Sequence, residues 1–297
     1  MRKFNLKDSA AKRMKGLDSL TGSVHPDTAK PAASAVTGVE SPMPGIRVIW
    51  KTDTGLVRKN NQDAVIIGDR IFGVADGMGG HNAGEIASGG LRDGLLAETK
   101  GKYPERGLLE QAIQKVNNQL FRRQEEEVSL TGMGTTLTVM WVADQEMIIA
   151  QIGDSRAYRI REGQLKRITE DHSMVADMVR SGVLTEEQAA THPMRNYITR
   201  AVGTDDELEV DLYCEKREPG DRWLVCSDGL YGLMSKSELE RLASINDPEE
   251  AAEKLMQTAL ANGGRDNISL VLLLDDAGAQ DSDQTADLSS DGEGAES

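Results

Sequence analysis

Short apolar runs rich in Val, Ile, Leu and Thr recur along the middle of the chain, at residues 47–51, 71–75, 135–143, 147–152, 156–160, 222–226 and 268–274. Their length and β-branched character predict strands. Several are joined by turn-length links, which favour antiparallel neighbours over the long crossovers that parallel strands require. Elsewhere a helical period takes over. Leu109, Ile113, Val116 and Leu120 share one face and predict a helix over about 106–123. Asp247, followed by Pro248 and by Glu250 three residues on, predicts a second helix start, with Leu255 and Leu260 inside it. Ser235 and Glu238 have the spacing of another cap, and residues 85–99 are predicted helical despite Gly89, Gly90 and Gly94. The order of these elements predicts an α+β fold of two antiparallel sheets covered by helices, with no internal repeat.

Composition bounds the ends. Residues 1–45 hold seven bases against four acids and then turn to Pro, Ala, Ser, Thr and Gly, so they are expected to form a flexible extension. Residues 275–297 carry eight acids and no base, an expected disordered acidic tail. The folded domain is therefore expected over 46–274, which still has 37 acids against 27 bases. With a net charge of −15 over 297 residues, the chain is a poor candidate for general nucleic-acid binding, which needs Lys and Arg to neutralise phosphates. No apolar run approaches the roughly 20 residues of a membrane span. The start of the chain lacks the apolar stretch of a secretory leader, and Cys214 and Cys226 could form one bridge at most. A cytoplasmic location is expected.

The candidate chemistry lies in aspartates that sit at strand boundaries beside Gly, Asn or Ser. Asp76 ends one strand-like run and opens Asp76-Gly77-Met78-Gly79-Gly80-His81, while Asp154 and Asp228 end two others. Asp266 and Asn267 precede the last strand, and Asp63 stands shortly before Ile66 and Ile67. Any one Asp-Gly is also the ordinary composition of a turn. Five at strand boundaries suggest a shared cleft, where carboxylates would repel one another unless a cation neutralised them. With four His and no Cys/His cluster at zinc spacing, hard oxygen donors point to Mg²⁺ or Mn²⁺.

Six motifs in order carry a resemblance: Arg58-x-x-Asn61-x-Asp63, Ala75-Asp76-Gly77-Met78-Gly79-Gly80-His81, Gly132-Met133-Gly134-Thr135-Thr136, Gly153-Asp154-Ser155-Arg156-Ala157-Tyr158, Ser227-Asp228-Gly229 and Gly264-Arg265-Asp266-Asn267. Over residues 46–274 the chain resembles the bacterial branch of the PP2C (PPM) family of metal-dependent protein serine/threonine phosphatases. The resemblance implies a central antiparallel β-sandwich flanked by helix pairs on both faces. It implies that Asp76 bridges two Mn²⁺ or Mg²⁺ ions, with the Gly77 carbonyl on one ion and Asp228 and Asp266 on the other. Asp63 would act through metal-bound water, Asp154 with Asp228 would hold a third ion, and Arg58 would hold the substrate phosphate. Asn267 would stand behind the ligands.

A hydroxide bridging the two ions is then the expected attacking group on phosphoserine and phosphothreonine of proteins, in a hydrolysis that demands on the order of 20 kcal/mol of barrier lowering. The expected partners are phosphoproteins and a bacterial Ser/Thr kinase that the enzyme opposes, with the phosphatase a monomer. A hydrolase of small phosphorylated metabolites and a catalytically silent binding module on the same fold are the alternatives. Met78 stands where eukaryotic relatives place a His that protonates the leaving group, which makes His81 a candidate substitute. Gln62 stands where many relatives place Glu. No covalent intermediate is needed, so neither Cys214 nor Cys226 is expected to be a nucleophile. Residues 172–202 resemble the family's flap, where Arg195 and Arg200 are candidate phosphopeptide contacts.

Overall fold

The computed structural model describes residues 35–80 and 83–276. Two antiparallel sheets lie face to face. One has the order β1 (Val36–Met43), β2 (Ile46–Asp53), β12 (Ile268–Asp275), β11 (Arg222–Cys226), β8 (Arg156–Arg161), β9 (Gln164–Arg167). The other runs β10 (Asp211–Lys216), β7 (Glu146–Ile152), β6 (Leu137–Val142), β4 (Ile71–Met78), β3 (Asp63–Ile67), with β5 (Gly134–Thr135) beside the end of β4.

Strand alternation sorts the side chains into three layers. On β11, Trp223 and Val225 face the space between the sheets, while Leu224 and Cys226 face the helices; on β12, Val271 and Leu273 point inward and Leu270, Leu272 and Leu274 outward. Both faces are covered, so β12 reads as one unbroken apolar run. Helices α1 (Ala83–Thr99) and α2 (Arg106–Glu126) cover the second sheet, and the stripe of Leu109, Ile113, Val116 and Leu120 is buried there. Gly90 and Gly94, costly to a helix on propensity alone, lie where α2 presses in: a Cβ on Gly94 would meet Val116 Cγ2 at 2.8 Å.

Two short helices, α3 (Met174–Arg180) and α4 (Glu186–Ala190), occupy the insert, the latter closed by a reciprocal cap between Thr185 and Gln188. A single turn, α5 (Asp228–Tyr231), follows β11. Helices α6 (Lys236–Ala243) and α7 (Pro248–Ala261) cover the first sheet. Ser235 and Asp247 cap them, accepting from Glu238 N and Glu249 N at 3.2 and 3.0 Å. The sandwich with helix pairs on both faces is thus the architecture the motifs implied.

The folded domain is wider than the expected 46–274. Residues 36–43, expected in the flexible extension, form edge strand β1, paired from Val36 opposite Thr52 to Met43 opposite Ile46. Its side chains are mostly exposed, so no apolar alternation marks it in the sequence. Backbone pairing holds it, with Gly38 lying under the Trp50 indole, where a Cβ would meet Nε1 at 2.3 Å. At the other end Asp275, assigned to the acidic tail, is the last residue of β12 and 2% exposed. It accepts from Arg217 Nε at 2.8 Å, and Arg217 also donates to the Ala143 carbonyl.

Because both partners are sealed from water, Arg217→Met will strip Asp275 of its nearby cation and lower stability by about 3–5 kcal/mol in urea unfolding. The double change Arg217→Met with Asp275→Leu will recover most of that loss. A single-variant loss under about 1 kcal/mol would contradict a buried pair.

Candidate metal centre

One end of the sandwich gathers the aspartates, and the strand register begins the gathering. Asp63, first in β3, lies directly opposite Asp76 in β4. Asp76 is held by its backbone: its N–H donates to Thr136 Oγ1 at 2.9 Å, and its carbonyl accepts from Thr136 N at 2.9 Å and Thr135 Oγ1 at 3.0 Å. The Gly132-Met133-Gly134-Thr135-Thr136 motif therefore acts through its threonines as well as its glycines. At Gly77 a Cβ would stand 2.1 Å from the Gly84 carbonyl oxygen, so α1 and β4 can meet only if that residue is glycine.

Asn267 joins the remaining segments. It is 5% exposed, accepts from Gln62 N at 2.9 Å and donates to the carbonyls of Asn60 at 2.9 Å and Thr54 at 3.0 Å. One amide thus pins the loop that carries Arg58 and Asp63 to the strand start that carries Asp266. Gly229, beside Asp228, presses on the same place, because a Cβ there would lie 2.0 Å from the Asn267 carbonyl oxygen. Arg58 Nη2 donates to Asp266 Oδ2 at 2.7 Å.

Asp63 reports how crowded this end is. Its Oδ2 accepts from Ser227 Oγ at 2.8 Å, while its Oδ1 is sealed from solvent with no hydrogen-bond partner. Burial, joined by the charges of Asp266 and Asp228, pushes its carboxyl up to about 7 against the lowering effect of the Ser269 and Ser227 hydroxyls. Asp63, Asp76, Asp228 and Asp266 therefore meet with Arg58, Gly77 and Asn267. Asp154, 6% exposed, stands beside them through Tyr231 of α5, whose hydroxyl donates to the Asp154 carbonyl at 2.8 Å. Ser227, Thr135, Thr136 and Tyr231 escaped the sequence reading as site residues, although each lies in or next to a quoted motif.

Three expectations fare differently. His81 lies outside the described residues. Arg200 is drawn into ion pairs with Asp211 and Glu209, both at 2.7 Å, instead of standing ready for a peptide. Cys226 is buried in β11 and its thiol is pushed up to about 12 by burial, which leaves negligible thiolate at neutral pH.

Among the described residues, no group of three or more His, Cys, Asp or Glu side chains is set to enclose an ion by itself. The donors nevertheless suit Mg²⁺ or Mn²⁺. They are hard oxygens, one of them sealed and unpartnered, and a Mg²⁺-type ion keeps several waters and takes only one or two carboxylates. A cation here would also offset the neighbouring charges that, together with burial, raise Asp63.

Comparison with known proteins shows the family. The family model described as Protein phosphatase 2C matches residues 57–262. The chain belongs to the protein phosphatase 2C family. It is 40% identical over 230 residues to the serine/threonine protein phosphatase PstP of Mycobacterium tuberculosis, a match covering 76% of this chain and 44% of that one. It thus spans less than half the length of that relative. The serine/threonine phosphatase stp of Listeria monocytogenes is 36% identical over 236 residues, with 75% and 94% covered. Among solved structures, M. tuberculosis PstP superposes with a TM-score of 0.73 at 38% identity, covering 77% of this chain and 97% of that one. The PstP catalytic domain in complex with 2 manganese ions gives 0.71 at 37% identity, with the same coverage. The stretch matched to the 2C family takes in strands of both sheets of the sandwich.

The raised Asp63 carboxyl has a measurable consequence. A group that titrates near 7 when folded and near 3.8 when unfolded binds its proton more tightly in the folded state. Its contribution to stability is complete below about pH 4 and is lost as pH rises through 7. In chelator, the unfolding temperature will therefore fall between pH 5 and 8 by calorimetry, and Asp63→Asn will flatten that fall. An equal slope in the variant would place the titration elsewhere.

Proposed function

We propose that this protein hydrolyses phosphoserine and phosphothreonine esters of proteins with the help of two Mn²⁺ or Mg²⁺ ions, and so opposes a Ser/Thr kinase. The observation that supports this best is the meeting of Asp63, Asp76, Asp228 and Asp266 at one sheet end, with Arg58 among them. Asp76 would hold both ions, the Gly77 carbonyl one of them, and Asp228 and Asp266 the other. Asp63 would serve that pair through water, and Asp154 with Asp228 a third ion. Bound there, the ions would supply an attacking water acidic enough to ionise near neutral pH, together with charge compensation for the phosphoryl oxygens.

The chain's own residues do the orienting. The Arg58 guanidinium offers a planar fork that suits a phosphate dianion. Its present partner is Asp266 Oδ2, so phosphate and Asp266 draw on the same donor. Asn267 keeps Arg58 and Asp266 on one rigid unit, so the phosphate is met by a donor already in place. The proton for the leaving serine or threonine alkoxide has to come from water or from His81, because Met78 offers none. Among the described residues no helix is long and apolar enough to cross a membrane.

Release of phosphate from a phosphothreonine peptide, and from p-nitrophenyl phosphate, will require Mn²⁺ or Mg²⁺ and will fall at least about 100-fold in Asp76→Asn. Unimpaired turnover by that variant refutes the assignment. Loss of turnover on the peptide alone in the wild-type protein would favour a small-metabolite substrate. Arg58→Ala will raise KM for the phosphopeptide several-fold more than it lowers kcat, as expected for a group whose main role is to hold the ground-state phosphate.

A further inference from the structure

His172 is 4% exposed, lies between β9 and α3, and takes no part in the reading above. Its contacts converge on one turn. The Gly153 N–H donates to His172 Nδ1 at 3.1 Å, and the His172 N–H donates back to the Gly153 carbonyl at 2.8 Å. Gly153, at φ +94°, is the residue immediately before Asp154. Side chain and backbone of one histidine therefore grip the residue that aims Asp154.

The hydrogen bonds also settle the tautomer. Nδ1 accepts, so the ring proton sits on Nε2 and is donated to Asp211 Oδ2 at 3.1 Å. Arg200 Nη1 lies 3.2 Å from Nε2, but two donors cannot bond each other; its acceptor is Asp211 Oδ1 at 2.7 Å. Burial keeps the imidazole neutral by lowering its pKa. Arg200 thus holds Asp211, Asp211 holds the ring, and the ring holds Gly153. The carbonyl of His172 in turn accepts from Thr199 N at 2.9 Å, which ties the chain next to Arg200 into the same knot.

We propose that His172 is a positioning residue for Asp154: through its Nδ1 acceptor it fixes the Gly153–Asp154 turn in the geometry that lets Asp154 take a divalent cation. This rests on the reading of Asp154 as a ligand to a third ion. The imidazole touches neither ion nor substrate, and its effect passes through the Gly153 amide. Supports one residue behind a metal ligand commonly alter affinity by about 10–100-fold when removed.

Two isosteric changes separate the ring's two ends. In His172→Asn the side-chain carbonyl takes the place of Nδ1 and still accepts from Gly153. In His172→Gln the side-chain amide reaches the Nε2 position and keeps the Asp211 bond, while the Gly153 acceptor is lost. Mn²⁺ titration of the full chain by calorimetry, with Asp154→Ala alongside, is the test. Wild type is expected to show a weak Mn²⁺ site that Asp154→Ala abolishes. His172→Gln will weaken that site about tenfold and leave the tighter sites unchanged, and His172→Asn will stay within about twofold of wild type.

Equal losses in both variants, or wild-type binding by His172→Gln, overturn the inference. Absence of any Asp154-dependent site in the wild type overturns the third-ion reading itself, so the two failures are distinct. Should His172→Gln not fold, Asp211 carries the same test. Asp211→Asn retains an acceptor for Nε2–H and keeps the weak site, whereas Asp211→Leu removes what holds the tautomer and weakens it several-fold.

Discussion

Carboxylates held close together in a poorly solvated place repel one another, and the architecture at this end of the sandwich is arranged around that repulsion. Burial, joined by the charges of Asp266 and Asp228, raises the proton affinity of Asp63. The chain tolerates this because covalent geometry and hydrogen bonds leave the backbone little choice. Antiparallel register sets Asp63 against Asp76, Thr135 and Thr136 lock the Asp76 peptide, and the Asn267 amide spans three separate backbone sites. A divalent cation bound there would convert a destabilising arrangement into a favourable one, which is the usual thermodynamic relation between a metal site and the fold that carries it.

Rigidity around the aspartates comes from two covered sheets. The inner layer of Phe72, Val74, Met140, Trp223, Val225, Val271 and Leu273 joins the sheets, and helix pairs seal the outer faces. Neither sheet can slide by one residue without moving its apolar set to the wrong layer, so the register that pairs Asp63 with Asp76 is enforced by packing far from the site. A site built on strand ends inherits this precision, whereas α4 in the insert has no buried residue and is held far less by packing.

Polar support around the site is arranged as relays. Tyr231 reaches the Asp154 carbonyl from α5, and its ring lies under the Arg156 guanidinium at 3.7 Å, which is itself paired with Asp171 at 2.7 Å. His172 reaches the residue before Asp154 from the loop ahead of α3. The turn that carries Asp154 is consequently gripped by partners from two distant parts of the chain. Each such grip replaces a hydrogen bond to water with one of fixed direction, which is how a fold transmits order to a ligand it does not touch.

Much of this was legible before any coordinates. Unbroken or alternating apolar runs marked β2, β4, β6, β7, β8, β11 and β12, because burial on a sheet face leaves a periodic trace. Caps at Ser235 and Asp247 were readable for a similar reason, being local hydrogen bonds between residues two or three apart. The aspartates themselves stood out by type and by place at strand ends. Edge strands β1 and β10 left no such trace, since backbone pairing holds them and none of their side chains is fully buried. Nor could spacing foresee that Asn267 would bind Gln62, that Arg58 would rest on Asp266, or that Arg200 would turn to Asp211. Those partners lie far apart in the chain or across a loop, and only closure of the two sheets against each other brings them within a hydrogen bond's reach.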